Sequence, residues 1–157
     1  MEQKFKAYTP ADKTQPARRT IHVNRVAANL GLRTTTSEAL RAKVEKGLPF
    51  RSFKTLEGKM RVNAKTLASM LSIPRTTLSR REKDGVFKID ESDRVYRYAD
   101  LLAQATEMLG DEEKASLWLQ KERTIFGGHS AIEHAKTEIG AREVEKVIGR
   151  IRHGVAV

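Results

Sequence analysis

Residues 63–85 read NAKTLASMLSIPRTTLSRREKDG, and the fold is decided on this stretch. Asn63 is a good N-cap, and Leu67 and Leu71 then recur at helical spacing with the small Ala68 beside them, where a second helix can cross closely. Pro74 suits the start of that second helix, and Leu78 gives it an inward side chain. Two short helices around a tight turn with one apolar residue, Ile73, form a helix-turn-helix pattern. The second helix offers Arg75, Thr76, Thr77, Ser79, Arg80 and Arg81. In a DNA major groove its first turns reach base edges, arginine to guanine being the commonest specific contact, while hydroxyls and later arginines bind phosphates.

The charge around this element points the same way. Residues 1–90 carry 20 Lys and Arg against 8 Asp and Glu, whereas residues 91–157 carry 10 against 12, so the whole excess of +10 belongs to the front of the chain. Such an excess attracts a polyanion through counterion release. The second half, with mixed charge, needs a different partner. Upstream, residues 1–20 mix basic and polar residues with two prolines and few large apolar groups, and read as a flexible basic arm. Val23, Val26 or Ala27, and Leu30 suggest a short helix ending near Gly31. Ser37 and Glu38 open another, with Leu40 and Val44 on one face until Gly47. Pro49 starts a third, with Phe50, Phe53 and Leu56 as its buried stripe.

Downstream, Val95, Tyr98 or Ala99, Leu102, Ala105 and Met108 or Leu109 repeat every three or four positions to Gly110, with acids at the helix start. Asp111 caps a shorter helix bearing Ala115, Trp118 and Leu119; a turn at Gly127-Gly128 follows, then a helical turn from Ser130. Ala141, Val144, Ile148 and Ile151 stripe a last helix. The expected fold is all-α, divided as a basic arm 1–20, a helix-turn-helix and dimerisation domain 21–89, and a C-terminal domain 90–157.

Little supports catalysis. The chain has no Cys, so disulfides and thiolate metal sites are excluded, and no apolar run is of membrane-spanning length. It reads as a soluble, cytoplasmic protein. His129 and His134 are five apart rather than at the i, i+4 spacing of two ligands on one helix face, and Glu112 and Glu113 point to different sides of theirs. No metal, cofactor or catalytic residue is expected. The C-terminal residues, RIRHGVAV from Arg150, are unusual: chain ends are normally polar, and an apolar tip after an amphipathic helix suggests insertion into something.

The run Glu91-Ser92-Asp93-Arg94, Gly110-Asp111, Lys114-Ala115, Trp118-Leu119, Gly127-Gly128, Thr137-Glu138, Gly140-Ala141-Arg142-Glu143-Val144-Glu145, Ile148-Gly149-Arg150-Ile151 and His153-Gly154-Val155 resembles the antitoxins of the Xre/MbcA/ParS type. The likeness extends from about Gly47 to Val155 and takes in the basic helix-turn-helix. It implies an Xre-like helix-turn-helix domain followed by a small helical toxin-binding domain. It implies, too, a RES-domain toxin that consumes NAD as partner, operator DNA as ligand and a homodimer as the assembly. By position, Arg142, Arg150, His153, Gly154 and Val155 would bind or block the toxin, with Gly127, Gly128 and Glu138 shaping the domain. The chain departs from the family at Glu122-Arg123-Thr124 and at Ala131, where prolines are usual. The other reading open to the residues is a stand-alone repressor of phage type whose second half only dimerises.

Overall fold

The computed structural model describes residues 15–157. Among them lie α1 (Gln15–Asn29), α2 (Ser37–Lys46), α3 (Phe50–Met60), α4 (Ala64–Met70), α5 (Arg75–Asp84), α6 (Ile89–Leu109), α7 (Glu112–Gln120), a 3-10 turn (Thr124–Phe126), α8 (Ala131–His134) and α9 (Glu138–Arg152). The described residues hold no strand, only two isolated bridges, Pro49 with Val86 and Glu122 with Ser130. The fold is all-α.

Everything is built on α6. Leu101, Leu102 and Ala103 are consecutive and all buried, so its middle is apolar over most of its circumference, leaving one polar stripe of Arg97, Asp100, Gln104 and Glu107. Helices α1, α2, α3, α7 and α9 all pack on it, and α3 also meets α7. One hydrophobic core therefore runs from Val23 to Ile148. A division at residues 89 and 90 falls at the first turn of α6, and the core is continuous across it.

Buried polar groups fasten the helices to one another, mostly at helix ends, where backbone carbonyls and amides lack intrahelical partners, and in one case in the middle of α6, at Ala99. Asn29 Nδ2 donates to the Ala99 carbonyl (2.9 Å), Ser52 Oγ to Leu30 (2.7 Å) and Ser116 Oγ to Met60 (2.6 Å), while Ser92 Oγ accepts from the Leu48 amide (2.8 Å). The Tyr98 hydroxyl donates to the Ile132 carbonyl at 2.8 Å, tying α6 to α8, and burial pushes its pKa well above the usual tyrosine value.

Two local expectations are corrected. Of the basic arm 1–20, residues 1–14 lie outside the described residues, but Gln15 onward is already α1, with Thr20 Oγ1 bonded back to the Pro16 carbonyl. Packing of Val23, Val26, Ala27 and Leu30 on α6 supplies stability that the polar composition of the first turns does not reveal. The cap of α2 is Thr36 rather than Ser37; its hydroxyl accepts from the Ala39 amide at 3.2 Å.

Candidate functional site

The helix-turn-helix forms as its residues dictate. Asn63 Oδ1 accepts from the Thr66 amide (2.8 Å), Leu67, Ala68 and Met70 turn inward, and the chain reverses at Ser72, which takes a left-handed φ of 53°. Ile73, only 4% exposed, plugs the turn, and its amide donates to the Ala68 carbonyl. Pro74 then caps α5, which ends at Gly85.

On α5, Arg75, Thr76, Ser79 and Arg80 are exposed and Thr77 is half-buried. At about 100° per residue the four exposed side chains fall within roughly 140° of one another, a single polar stripe. Lys83 lies on the same stripe and is also exposed, although as part of an apparent Lys-Asp-Gly turn it did not look like a member of the face. Arg81 does not belong there. Six residues beyond Arg75, it points away from the stripe and is 6% exposed. Its Nε and Nη2 donate to the two oxygens of Glu91 at 2.6 and 3.0 Å, and Nη1 reaches Asp84 at 3.1 Å. Burial works to raise the Glu91 carboxyl, but the Arg81 guanidinium and the Lys88 amide outweigh it and hold it below the usual range. The expected DNA contact is therefore an internal strut, because the guanidinium is buried against Glu91 on the side of α5 away from the stripe and cannot reach a phosphate.

The second site is the C-terminal half. Gly127 and Gly128, both at positive φ, close a turn in which the Gly128 amide donates to the Arg123 carbonyl and the Arg123 amide to His129. Ser130 and Glu133 form a reciprocal cap for α8. Phe126 lies between Trp118, edge-on at 6.3 Å, and the His134 ring at 5.1 Å, while the Arg123 guanidinium lies 4.7 Å from the Trp118 ring centre. Trp118 is thus half core and half platform. At Gly140 a Cβ would meet the His134 carbonyl oxygen at 1.8 Å, so only glycine lets α8 and α9 approach this closely.

Helix α9 buries Ala141, Val144, Val147 and Ile148, and Ile151 is half-buried. Arg142 is exposed and held by Glu138 (3.0 Å), whose other oxygen takes Arg97 (3.0 Å). Arg150 is exposed and makes no ion pair among the described residues. From Arg152 to the end every residue is exposed, including the apolar Val155 (54%) and Val157 (60%). His153, Gly154 and Val155 cap α9 by backbone bonds alone, and the tail does not fold back into the core. Exposed apolar side chains on this half that the sequence pattern did not single out are Leu117 (61%), Ile125 (41%) and Ile139 (73%).

Comparison with known proteins divides the chain at α6. Residues 39–100 match the antitoxin Xre-like helix-turn-helix domain, and residues 104–154 match the antitoxin Xre/MbcA/ParS C-terminal toxin-binding domain. The chain carries both domains of these antitoxins. Three proteins called antitoxin Xre are similar to it. That of Photorhabdus laumondii is 27% identical over 153 residues, covering 96% of this chain and 99% of the relative. Those of Pseudomonas putida (36% over 80 residues) and Yersinia enterocolitica (38% over 85) cover 51% and 53% of this chain. The matched stretch spans only 50% and 57% of those two relatives. The Xre-like domain thus contains the α5 stripe, and the toxin-binding domain ends in the exposed tail. Helix α1 lies outside both matches. No helix among the described residues is long and apolar enough to cross a membrane, and no group of metal-binding side chains is assembled among them.

Proposed function

We propose that the chain is a type II antitoxin that neutralises a RES-domain, NAD-consuming toxin by placing its C-terminus in the toxin's NAD pocket, and that it represses its own promoter as a dimer through α5. The observation that carries the reading is the tail: residues 153–157 project, exposed and partly apolar, from the end of a toxin-binding domain whose own core stops at Ile148. A pocket that binds a dinucleotide pyrophosphate favours cationic donors, so Arg150 and His153 compete by charge-assisted hydrogen bonds. Gly154 and Val155 form a narrow apolar tip for the remaining space, and Arg142 lies farther back on the same helix as a rim contact. The chain itself is read as a regulator without catalytic activity, needing no cofactor.

Deleting residues 153–157, which keeps every residue of α9 but removes the backbone cap on its last turn, is expected to abolish protection of cells expressing the neighbouring toxin gene while leaving promoter binding unchanged. A truncated chain that still protects removes occlusion by the tail. A chain that binds its promoter but has no toxin gene beside it and captures no partner is instead a stand-alone repressor.

A further inference from the structure

The least expected cluster of charged groups lies where α1 meets the toxin-binding domain. His22 Nε2 is 2.7 Å from Asp100 Oδ1, and its Nδ1 is 2.7 Å from Glu107 Oε1. Only the doubly protonated imidazole can donate to both carboxylates; a neutral ring would set a lone pair against one of them. Hydrogen bonding to Asp100, opposed by desolvation and reinforced by Glu107, pushes the imidazole up to about 9, so it is charged at neutral pH. The second oxygen of Glu107 accepts from Arg152 Nη1 at 3.3 Å, and Arg152 is the last residue of α9. One carboxylate, with a side chain only 16% exposed, therefore joins a helix outside both matched domains to the root of the tail.

The root has few other supports. Beyond Ile148 the helix is held by the half-buried Ile151 and by this ion pair; Arg150 is exposed and makes no ion pair among the described residues. Helix ends fray, and losing one turn would displace the start of the tail by about 5 Å. We propose that Glu107 is a positioning residue for the tail: secured from α1 by His22, it pins Arg152, keeps the last turn of α9 formed and fixes the direction in which residues 153–157 leave the bundle. Helix α1 is then a working part of the toxin-binding end, although it is remote in sequence. The consequence for binding rests on the tail reading above. Each backbone residue that must be ordered at the moment of association weakens it by roughly tenfold, so a preformed root strengthens the complex without touching the partner.

Hydrogen exchange of the isolated full chain at neutral pH tests the clamp without any partner. The amides of His153, Gly154 and Val155, bonded to carbonyls in the last turn of α9, are expected to exchange about tenfold faster in Glu107→Gln, in His22→Gln and in Arg152→Ala. Arg152→Lys should restore wild-type protection, and peptides of α4 and α5 should not change. Arg152→Ala alters a surface residue and decides the matter if either α6-facing variant misfolds. Unchanged exchange at the root in Glu107→Gln and Arg152→Ala would overturn the clamp whatever the toxin does. With the neighbouring toxin as probe, Glu107→Gln should raise Kd about tenfold, whereas removing residues 153–157 abolishes neutralisation. If truncation is harmless, the tail reading falls while the exchange result still judges the clamp. If truncation is fatal but a loosened root leaves Kd unchanged, positioning by Glu107 is refuted.

Discussion

The two ends of α6 each use a carboxylate to hold a basic element, and they do so differently. Glu91, near the first turn, is 5% exposed and grips Arg81 with both oxygens. Glu107, sixteen residues and about 24 Å farther along the rod, spends one oxygen on His22 and the other, at 3.3 Å, on the 39%-exposed Arg152. The first pair locks a whole helix, so the α5 stripe is presented rigidly. The second holds only a root and leaves the residues beyond it exposed. The former suits the proposed reading of a fixed duplex, and the latter the proposed entry of the tail into a cavity of another protein.

The largest expected effect comes from breaking the stiff end. Glu91→Ala leaves the Arg81 charge buried with only the half-exposed Asp84 nearby, and Tm should fall by roughly 10 °C. Because the folded Glu91 carboxyl is held below its ordinary 4.5, its contribution is present above that pH and disappears as pH falls through the lower folded value. Melts of both proteins by circular dichroism should therefore converge on acidification. A wide gap persisting in strong acid would mean that the variant lost packing rather than the ion pair.

Next in size is the loss of the proposed reading surface. Arg75→Ala with Arg80→Ala should weaken promoter binding by a hundredfold or more, at about 1–3 kcal/mol per specific contact, with Tm and toxin neutralisation intact. Fluorescence anisotropy on the promoter and a melt of the same sample separate the two ends of the molecule. Joint loss of DNA binding and neutralisation would deny that they act independently.

At the loose end, His22→Gln removes the charge that Asp100 and Glu107 share. The folded imidazole is raised from 6.5 to about 9, so its stabilisation is complete below pH 6.5 and lost as pH rises through 9. With partial exposure discounting the shift, it amounts to about 2 kcal/mol at neutral pH. Wild-type Tm should drop between pH 7 and 10 while the variant stays flatter; parallel curves would show that the imidazole is not the titrating group.

The same contrast explains what could be read in advance. Local rules located the helix-turn-helix, because Asn63, Ala68, Ile73 and Pro74 act on neighbours a few residues away, and the exposed stripe of α5 followed from spacing. They located α9 and its odd end by the same means. Arg81 was misread because its partner lies across a helix junction: an arginine flanked by Arg80 and Glu82 looks solvated until α6 brings Glu91 beneath it. The clamp was out of reach entirely, since His22 and Glu107 are 85 positions apart and no local pattern pairs them. The start of α1 is not legible because residues 16–21 are exposed and carry no apolar stripe; the helix is anchored only farther on, from Val23, by packing on α6.

The smallest effect is the sharpest test of the stripe. Lys83 closes the exposed face of α5 a full two turns beyond Arg75, too far along the helix to reach the base edges that its first turn meets. On the proposed reading it meets phosphate as a point charge at the groove's edge, so Lys83→Ala should weaken binding only about threefold, equally for promoter and random DNA. The plot of log affinity against log salt should flatten by about one unit. Arg75→Ala, by contrast, should narrow the gap between promoter and random DNA. If Lys83→Ala changes sequence preference, α5 enters the groove by its C-terminal half, and the assignment of Arg75 and Thr76 to the base edges must be reversed.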